Sequence, residues 1–337
     1  MRKRKTKNRI FAIALAVLLS NIFIQSPVKA STCDRPFLIS SVANVKKLGT
    51  INVQVVFLRF PDSPKKSKGY IKQFISNIDI AEMKNYVKES SYGKAKLNLN
   101  VDSSWVNMPA ASYSYGIQGM ISEQEENNFR DAIVNSSKIK SNTDVIWAVP
   151  DPDFAPYYIA FRNPSNINGK NVMTVLYNQQ NAWLAVSEIF HGLGLRDLYA
   201  SVSGGPSGGM DQFSLMSQYY AGADLTGYEK YSLGWLGSKD TVCHESGSRT
   251  VKLNPLGAKG TKLVLVPINA QEMIGIEYRK KEKRDKYLGS TGILVYHINN
   301  QWNENSPMNP LFFGKKGSVD FQGINIQIKS NTVTVTR

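Results

Sequence analysis

Histidine and cysteine are scarce in this sequence, which contains three histidines and two cysteines among its 337 residues. The two cysteines, Cys33 and Cys243, each lack a second metal-binding residue at ligand spacing, so the pattern excludes a cysteine-based zinc cluster and a disulfide-rich scaffold. After the first thirty residues, no stretch is long and apolar enough to cross a bilayer, which requires roughly 20 residues. We therefore expect no integral membrane segment in the mature chain.

Residues 1–30 have the composition of a secretory signal. Six Lys/Arg residues precede the apolar run at 10–24, and Val28-Lys29-Ala30 supplies small residues where a signal peptidase cleaves. An uncleaved membrane anchor is the alternative, but the apolar run is short for that role. The segment predicts a secreted or extracellular protein. In an oxidising compartment Cys33 and Cys243 are expected to form one disulfide rather than two free thiols.

Acidic residues are outnumbered by basic ones, and the formal net charge is +15. Seven Lys/Arg belong to residues 1–30, so 34 remain against 26 Asp/Glu and the mature chain carries about +8. The basic runs at 63–69 and 279–286 contain no interleaved aromatic residues, which argues against a nucleic-acid partner. We expect both runs to be solvated loops.

The periodicity of the chain changes near residue 239. Before it, dense β-branched and aromatic runs predict strands, and one segment with apolar residues at helical intervals predicts a helix. After it, short alternating segments predict strands alone, typical of a sandwich. We predict an α+β protein with a first domain at 31–238 and a β-rich domain at 239–337. The predicted early elements are strands at 51–62, 94–106, 143–150 and 170–178, and a helix at 79–94.

The stretch "AVSEIFHGLGLRDLY" at 185–199 carries the spacing of a zinc-protease helix. Residues four apart share one helical face, so histidines at both positions could bind one zinc ion, with a glutamate after the first as general base. Here Ser187 occupies the first position, followed by Glu188, and His191 occupies the second. Gly194 allows the chain to turn back, which would bring Asp197 to the same metal.

The stretch resembles the HExxHxxGxxD site of the immune inhibitor A-like secreted metallopeptidases. "VVFLRFPD", "YVKESSYGK", "FSLMSQ" and "GYEKYSLGWL" are similar to further segments of that family, and "IEYRKKEKRDKYLGSTGILVYHI" resembles a strand pair of its β-domain. The resemblance spans about residues 50–335. It implies a zincin-like domain, a zinc cofactor held by His191 and Asp197, Glu188 as general base, and Met216 as the apolar floor.

Ser187 departs from the family pattern, because a short hydroxyl side chain is a poor substitute for an imidazole ligand at about 2.0 to 2.1 Å from zinc. Zinc binding and peptide hydrolysis are therefore expected to be impaired. His244 or a water molecule could replace the missing ligand, whereas His297 lies in a predicted strand and is expected to be structural. Ser187 does not lie within a G-x-S-x-G pattern, so its surroundings do not support it as a serine nucleophile. The alternative function is an inactive pseudoprotease that binds a protein, peptide or surface; the oligomeric state stays open.

Overall fold

The structure is a computed structural model, and it describes residues 33, 45–64, 69–116, 122–151, 159–160, 165–167, 169–176, 181–199, 210–217, 222–300 and 307–337. The predicted signal segment at 1–30 lies outside the described residues. Residues from Thr32 to the last residue group into one compact unit. In the described part of the chain, no helix has the length and apolarity that crossing a membrane requires.

The first half of the described chain forms a mostly parallel sheet. Its strands lie in the order β2-β1-β3-β6-β4, and β5 also pairs with β6. The pairs β1–β2, β1–β3 and β3–β6 are parallel, while β4 and β5 run antiparallel to β6. The strands are β1 (Gly49–Arg59), β2 (Ala95–Asn107), β3 (Val145–Pro150), β4 (Ile159–Ala160), β5 (Ser165–Ile167) and β6 (Lys170–Leu176).

Helices cover both faces of this sheet, which explains why β1 is apolar along most of its length. Val53 and Val55 of β1 belong to the core cluster that includes Phe74 of α1 and residues of α2 and α4. Val56, the residue after Val55, points to the opposite face of the sheet and belongs to a second cluster with Phe129 of α3. The helices are α1 (Tyr70–Asn77), α2 (Ile80–Ser90), α3 (Glu123–Ser136), α4 (Ala182–Gly192) and α5 (Gly227–Ser232).

The second half forms two sheets. One has the order β12-β11-β10-β9-β7 and is antiparallel except where β7 pairs with β9; the other has the order β13-β14-β15-β8 and is antiparallel throughout. The strands are β7 (Thr241–Cys243), β8 (Ser248–Lys252), β9 (Leu263–Pro267), β10 (Glu272–Arg279), β11 (Gly292–Asn299), β12 (Met308–Gly314), β13 (Lys316–Phe321), β14 (Ile324–Lys329) and β15 (Thr332–Thr336).

The five-stranded sheet is buried on both faces. Leu263 and Leu265 of β9 pack into the core cluster that holds α4, whereas Val264 and Val266 pack against Ile326 of the four-stranded sheet. Successive side chains of a strand point to opposite faces, so the sequence "LVLVP" is apolar without alternation. The α+β prediction is confirmed: a parallel sheet with helices is followed by mainly antiparallel sheets.

The strands and the helix predicted from the early part of the sequence are present, with small differences at their ends. The helix at 79–94 is α2, with Asp79 as its N-cap, and the strand at 51–62 ends at Arg59. Two helices, α1 and α3, were not predicted. The expectation that 279–286 is a solvated loop is wrong at Arg279, the last residue of β10, and at Asp285; both are buried, and their ion pair offsets the cost of removing two charges from water.

A disulfide joins Cys33 to Cys243 on β7, across 210 positions of the sequence. It confirms the pairing predicted from the two cysteines. Cys33 is buried within the same core cluster as Leu265 of the neighbouring strand β9. The bridge therefore attaches the beginning of the described chain to the five-stranded sheet.

Candidate functional site

The helix α4 carries the predicted site and is fixed at both ends. Asn181 caps its beginning, because the side-chain oxygen accepts hydrogen bonds from the amides of Trp183 and Leu184. Its apolar residues pack into the main core. The helix ends at Gly192, and Gly194 adopts a φ of 99°, a left-handed conformation that residues with a Cβ rarely adopt. The chain turns back at this glycine, as the motif predicted.

Ser187, Glu188 and His191 all lie on α4 and are buried, with exposed fractions of 5%, 5% and 6%. The Ser187 hydroxyl donates a hydrogen bond of 2.7 Å to the Leu184 carbonyl, one turn earlier in the same helix. This is the usual local bond of a serine inside a helix. The hydroxyl is thus engaged by the backbone of its own helix.

His191 contacts an acceptor oxygen with each ring nitrogen. Its Nδ1 lies 2.7 Å from the Leu195 carbonyl oxygen, and its Nε2 lies 3.2 Å from Oδ1 of Asp197. Because neither oxygen carries a proton to donate, both nitrogens act as donors in the doubly protonated ring. Burial lowers the pKa of His191, but the hydrogen bond and charge of Asp197 and the charge of Glu188 raise it, to about 9. The ring and Asp197 form an ion pair.

Glu188 is the least satisfied group of the cluster. Burial raises the pKa of its carboxyl group, the charge of His191 lowers it and that of Asp197 raises it, and the resulting pKa is about 7. Its Oε2 has no hydrogen-bond partner among the described residues. A buried carboxyl with an unpaired oxygen favours the neutral form. We call Ser187, Glu188, His191 and Asp197 the helix cluster.

The donors of the helix cluster do not complete a zinc site. Two ligands of one tetrahedral zinc ion, each about 2.0 to 2.1 Å from it, lie roughly 3.3 Å apart. The separation of 3.2 Å between His191 and Asp197 matches that value, but the third position is a hydroxyl bonded to Leu184. Within the described ranges, no group of three or more His, Cys, Asp or Glu residues could hold a metal ion. A bound zinc therefore does not fit this set of residues.

The two other histidines lie in the β-rich half. The His244 Nε2 is 3.1 Å from the Gly247 carbonyl oxygen, and His297 of β11 is buried beside Glu272, with 3.4 Å between Nε2 and Oε1. His297 is thus buried beside a carboxylate of the neighbouring strand, and its structural role stays a prediction. Neither belongs to a candidate metal cluster in the part of the chain that the structure describes.

Met216 is buried in a turn that is bonded to the segment following Asp197. The amide of Leu198 donates to the Met216 carbonyl at 2.9 Å, and the Ser217 hydroxyl donates to the Leu198 carbonyl at 2.9 Å. This turn around Met216, the methionine turn, is thus hydrogen-bonded to the segment that follows Asp197. Its role as a floor beneath a metal stays a prediction, and the glycine-rich segment at 201–209 lies outside the described residues.

A second buried polar cluster was missed by the sequence prediction. Arg279 of β10 pairs with Glu277 at 2.9 Å and with Asp285, and it donates to the Phe213 carbonyl at 2.8 Å. Glu277 also accepts from Gly227 at the beginning of α5 and from the Tyr296 hydroxyl. Glu277 and Asp285 are close to Arg279 in the sequence, but Phe213 and Gly227 come from distant segments, so no spacing predicts the whole set. We call this set, centred on Arg279, the arginine network.

The arginine network is continuous with the methionine turn through Glu229 of α5. The Glu229 carboxylate accepts from the Thr226 hydroxyl and amide, forming a capping box, and from the Ser214 hydroxyl. Burial raises the pKa of Glu229, the bonds of Thr226 and Ser214 lower it, and the charge of Glu277 raises it, to about 7. The T-x-x-E pattern at 226–229 was the signal that could have located this part of the network.

Comparison with protein-family models and with curated proteins gives no match to this chain. The resemblance to secreted metallopeptidases therefore depends on the motifs quoted above. Of the residues in those motifs, Ser187, Glu188 and His191 lie on one buried helix, α4. Asp197, in the segment after the helix, contacts His191.

Proposed function

We propose that this protein is a metallopeptidase-related binding module that has lost zinc-dependent peptide hydrolysis. In this proposal the parallel sheet and α4 form a zincin-like domain, and the two later sheets form its β-sandwich. The surface near α4 binds a protein or peptide without cleaving it. The proposal includes export from the cell, which the charge and apolar pattern of residues 1–30 and the disulfide support.

The engagement of the Ser187 hydroxyl carries the proposal. The hydroxyl donates a hydrogen bond of 2.7 Å to the Leu184 carbonyl. The side chain at the position of the third metal ligand is therefore bonded to the backbone of its own helix. His191 and Asp197 then satisfy each other as an ion pair. In this proposal a proton on His191 supplies the positive charge beside Asp197 that a metal ion would otherwise supply.

Residual metal-dependent hydrolysis is the second candidate function. The separation of 3.2 Å between His191 and Asp197 favours it, since a shared metal ion would also hold two ligands at roughly this distance. The unpaired oxygen of Glu188 is a further supporting observation. In that case the activity would depend on added zinc.

Zinc content and peptide cleavage of the purified, exported protein test the two functions. The natural protein should retain no stoichiometric zinc after dialysis and should not cleave a mixed peptide library. Ser187→His should add a third protein ligand and raise zinc affinity by roughly two to three orders of magnitude, because a four-ligand site contributes about 10 to 16 kcal/mol in total. Ser187→Ala is the matched control, since it removes the hydroxyl without adding a ligand.

Hydrolysis in the histidine variant would show that the rest of the site is intact. Glu188→Gln in that background should then abolish cleavage but preserve zinc binding, because an amide cannot accept the proton of an attacking water. Zinc-dependent cleavage by the natural protein would refute the loss of activity and favour the second function. No gain of zinc affinity in Ser187→His would mean that the site has changed beyond repair by one residue, and would favour the binding module over residual hydrolysis.

A further inference from the structure

The four-stranded sheet turns one of its faces away from the core. Ile326 and Ile328 of β14 and Val333 and Val335 of β15 pack inward, so the alternate residues of these strands point outward. The strand registers align the outward residues in three rows across the sheet. The rows are Lys316, Lys329, Thr332 and Lys252; Ser318, Gln327, Thr334 and Thr250; and Asp320, Asn325, Thr336 and Ser248. We call this surface the outer face and its first row the lysine row.

The lysine row carries three positive charges that no carboxylate of the outer face balances. Lys316 and Lys329 lie directly opposite each other on neighbouring strands, and Lys252 lies two strands beyond Lys329. All three are exposed, and none forms an ion pair with a residue that the structure describes. Asp320, the one carboxylate in the three rows, is four residues from Lys316 along β13. That separation is about 13 Å, beyond the screening length of about 8 Å at physiological ionic strength.

Neither fold stability nor protection of the sheet edges accounts for the whole lysine row. Like charges directly opposite each other on neighbouring strands destabilise a sheet, which applies to Lys316 and Lys329. Lysines on edge strands prevent pairing with another chain, and this accounts for Lys316 on β13 and Lys252 on β8. It does not account for Lys329, because β14 is paired on both sides. An anion bound across the row would offset the repulsion.

The other two rows supply uncharged hydrogen-bonding groups beside the lysines. The hydroxyl oxygens of Thr250 and Thr334 lie 2.8 Å apart, and those of Ser248 and Thr336 lie 3.1 Å apart. A hydroxyl has one donor and two acceptor sites, so each pair retains one donor and further acceptor sites for a ligand. None of the residues in the three rows is aromatic or aliphatic. The outer face therefore lacks both a stacking platform for nucleic-acid bases and an apolar surface for insertion into a bilayer.

We propose that the outer face binds an acidic polysaccharide, with its acidic groups on the lysine row and its hydroxyl groups on Thr250 and Thr334. Neighbouring strands lie about 4.8 Å apart, so the lysine row extends about 14 Å from Lys316 to Lys252. A linear chain that carries acidic groups at regular intervals can follow such a row, and its sugar hydroxyls match the uncharged groups next to it. The site shares no residue with the helix cluster and does not depend on the proposed function.

Calorimetry with an oligogalacturonate and with its methyl ester tests the proposal on the full disulfide-bonded protein. The two ligands share one backbone and its hydroxyl groups, but only the first carries carboxylates. The oligogalacturonate should bind saturably, and its affinity should fall by roughly an order of magnitude between about 50 and 200 mM salt, because contacts with three lysines release counterions. The ester should bind at least about tenfold more weakly. Absence of oligogalacturonate binding, or equal binding of the ester, would overturn the proposal.

A charge-matched pair of variants locates the site. The first variant replaces all three lysines of the lysine row by glutamine and should weaken oligogalacturonate binding about tenfold. The control makes the same change at three exposed lysines outside the four-stranded sheet, Lys72, Lys84 and Lys281. It has the same net charge and should keep its affinity within about twofold. Lys329→Gln alone should weaken binding about two- to fivefold. Equal losses in the two triple variants, or unchanged affinity in Lys329→Gln, would overturn the proposal.

Polyphosphate and phosphatidylserine vesicles distinguish a polysaccharide from other anionic partners. Thr250→Val combined with Thr334→Val removes two hydroxyls and keeps side chains that favour strands. This variant should bind the oligogalacturonate about threefold more weakly and polyphosphate with unchanged affinity, because only the sugar ligand uses the hydroxyls. Circular dichroism checks that every variant is folded. Unchanged oligogalacturonate affinity in the valine variant, or binding of polyphosphate or vesicles as tight as that of the oligogalacturonate, would overturn the polysaccharide as the partner.

Discussion

The helix cluster and the arginine network are both buried and both rich in ionisable groups, yet they are satisfied to different degrees. In the network, Arg279 lies between two carboxylates and also donates to a carbonyl. In the helix cluster, one oxygen of Glu188 has no partner among the described residues, and burial raises its pKa to about 7. Burial raises the pKa of Glu229, beside the network, to about 7 as well, but its carboxylate accepts hydrogen bonds from Ser214 and Thr226. Hydrogen bonding, and not the pKa, therefore separates the two regions. The unpaired oxygen of Glu188 costs stability, so the stability of the fold does not explain why a buried acid is present there.

Gly275 shows how closely the network is fitted. A Cβ at this position of β10 would lie 2.4 Å from the ring of Tyr296, so only glycine leaves room for that ring on the neighbouring strand. The Tyr296 hydroxyl then donates to Glu277 at 3.0 Å and accepts from the Tyr228 amide at 3.2 Å. The helix cluster contains no comparable support around Glu188, which makes the two regions suitable for direct experimental comparison.

The largest effect is expected from Arg279→Met. It removes the charge but keeps much of the volume, so Glu277 and Asp285 are left buried without a cation. Removing one partner of a buried ion pair typically costs about 3 to 5 kcal/mol of unfolding free energy. Urea unfolding measures the loss, with Lys281→Met as the exposed control, expected within about 0.5 kcal/mol. A loss below about 1 kcal/mol would mean that the network contributes no more than a surface pair.

Glu188→Gln should have the opposite sign. The folded-state pKa is raised from 4.5 to about 7, so the ionised carboxylate destabilises the fold progressively as pH rises from 4.5 to 7, and fully above that. The variant should gain roughly 1 to 3 kcal/mol at pH 8 and less at pH 5. Urea unfolding at both pH values measures the difference. Glu282→Gln, at a half-exposed carboxylate paired with Lys280, is the control, and a destabilised Glu188→Gln at pH 8 would contradict the assignment.

The two N-caps give a smaller and directly matched comparison. Asn181→Ala removes the cap of α4, and Thr226→Ala removes the cap of α5; each should cost about 0.5 to 2 kcal/mol. The Thr226 change should be the larger one, because its hydroxyl is fully buried and also donates to Glu229 at 2.8 Å. Thermal unfolding of both variants decides the order. A larger loss in Asn181→Ala would reverse the ranking of the two regions.

Ser187→Ala should have the smallest effect, within about 0.5 kcal/mol of the parent. Its hydroxyl bonds a carbonyl of its own helix, an interaction that is neutral or slightly unfavourable for helix stability, and alanine has the higher helix propensity. The midpoint of urea unfolding measures the change. A loss above about 1 kcal/mol would indicate that Ser187 has a partner beyond Leu184.

Local patterns predicted much of the fold. The apolar run at β1, the helical spacing of α2 and the i, i+4 spacing on α4 are encoded within a few residues, and the structure agrees with each. The return of Asp197 to His191 followed from the glycine turn. The helix α3 was missed because it has few apolar residues, although Ser122 and Glu125 form a capping box that could have located its beginning.

The rest depended on contacts between distant residues. Arg279 and Lys283 belong to one charged run, yet Arg279 is fully buried among carboxylates, whereas Lys283 is exposed and its ammonium group lies 3.3 Å from the Gly257 carbonyl oxygen. Only tertiary packing distinguishes them, since charge and spacing are alike. Similarly, the raised pKa of Glu188 follows from burial of its whole environment, and the orientation of the Ser187 hydroxyl follows from the helix backbone.

The disulfide between Cys33 and Cys243 also affects how the protein matures. With two cysteines in the chain, oxidation within one molecule has a single possible product, so there are no mispaired isomers to correct. The partners are 210 positions apart, and closing so long a loop in an unfolded chain is entropically unfavourable. Packing of Cys33 into the core cluster beside the five-stranded sheet, which carries Cys243, brings the two thiols together and offsets that cost. Crowded unfolded chains would instead couple to one another through either cysteine, which makes dilution the condition that favours correct maturation.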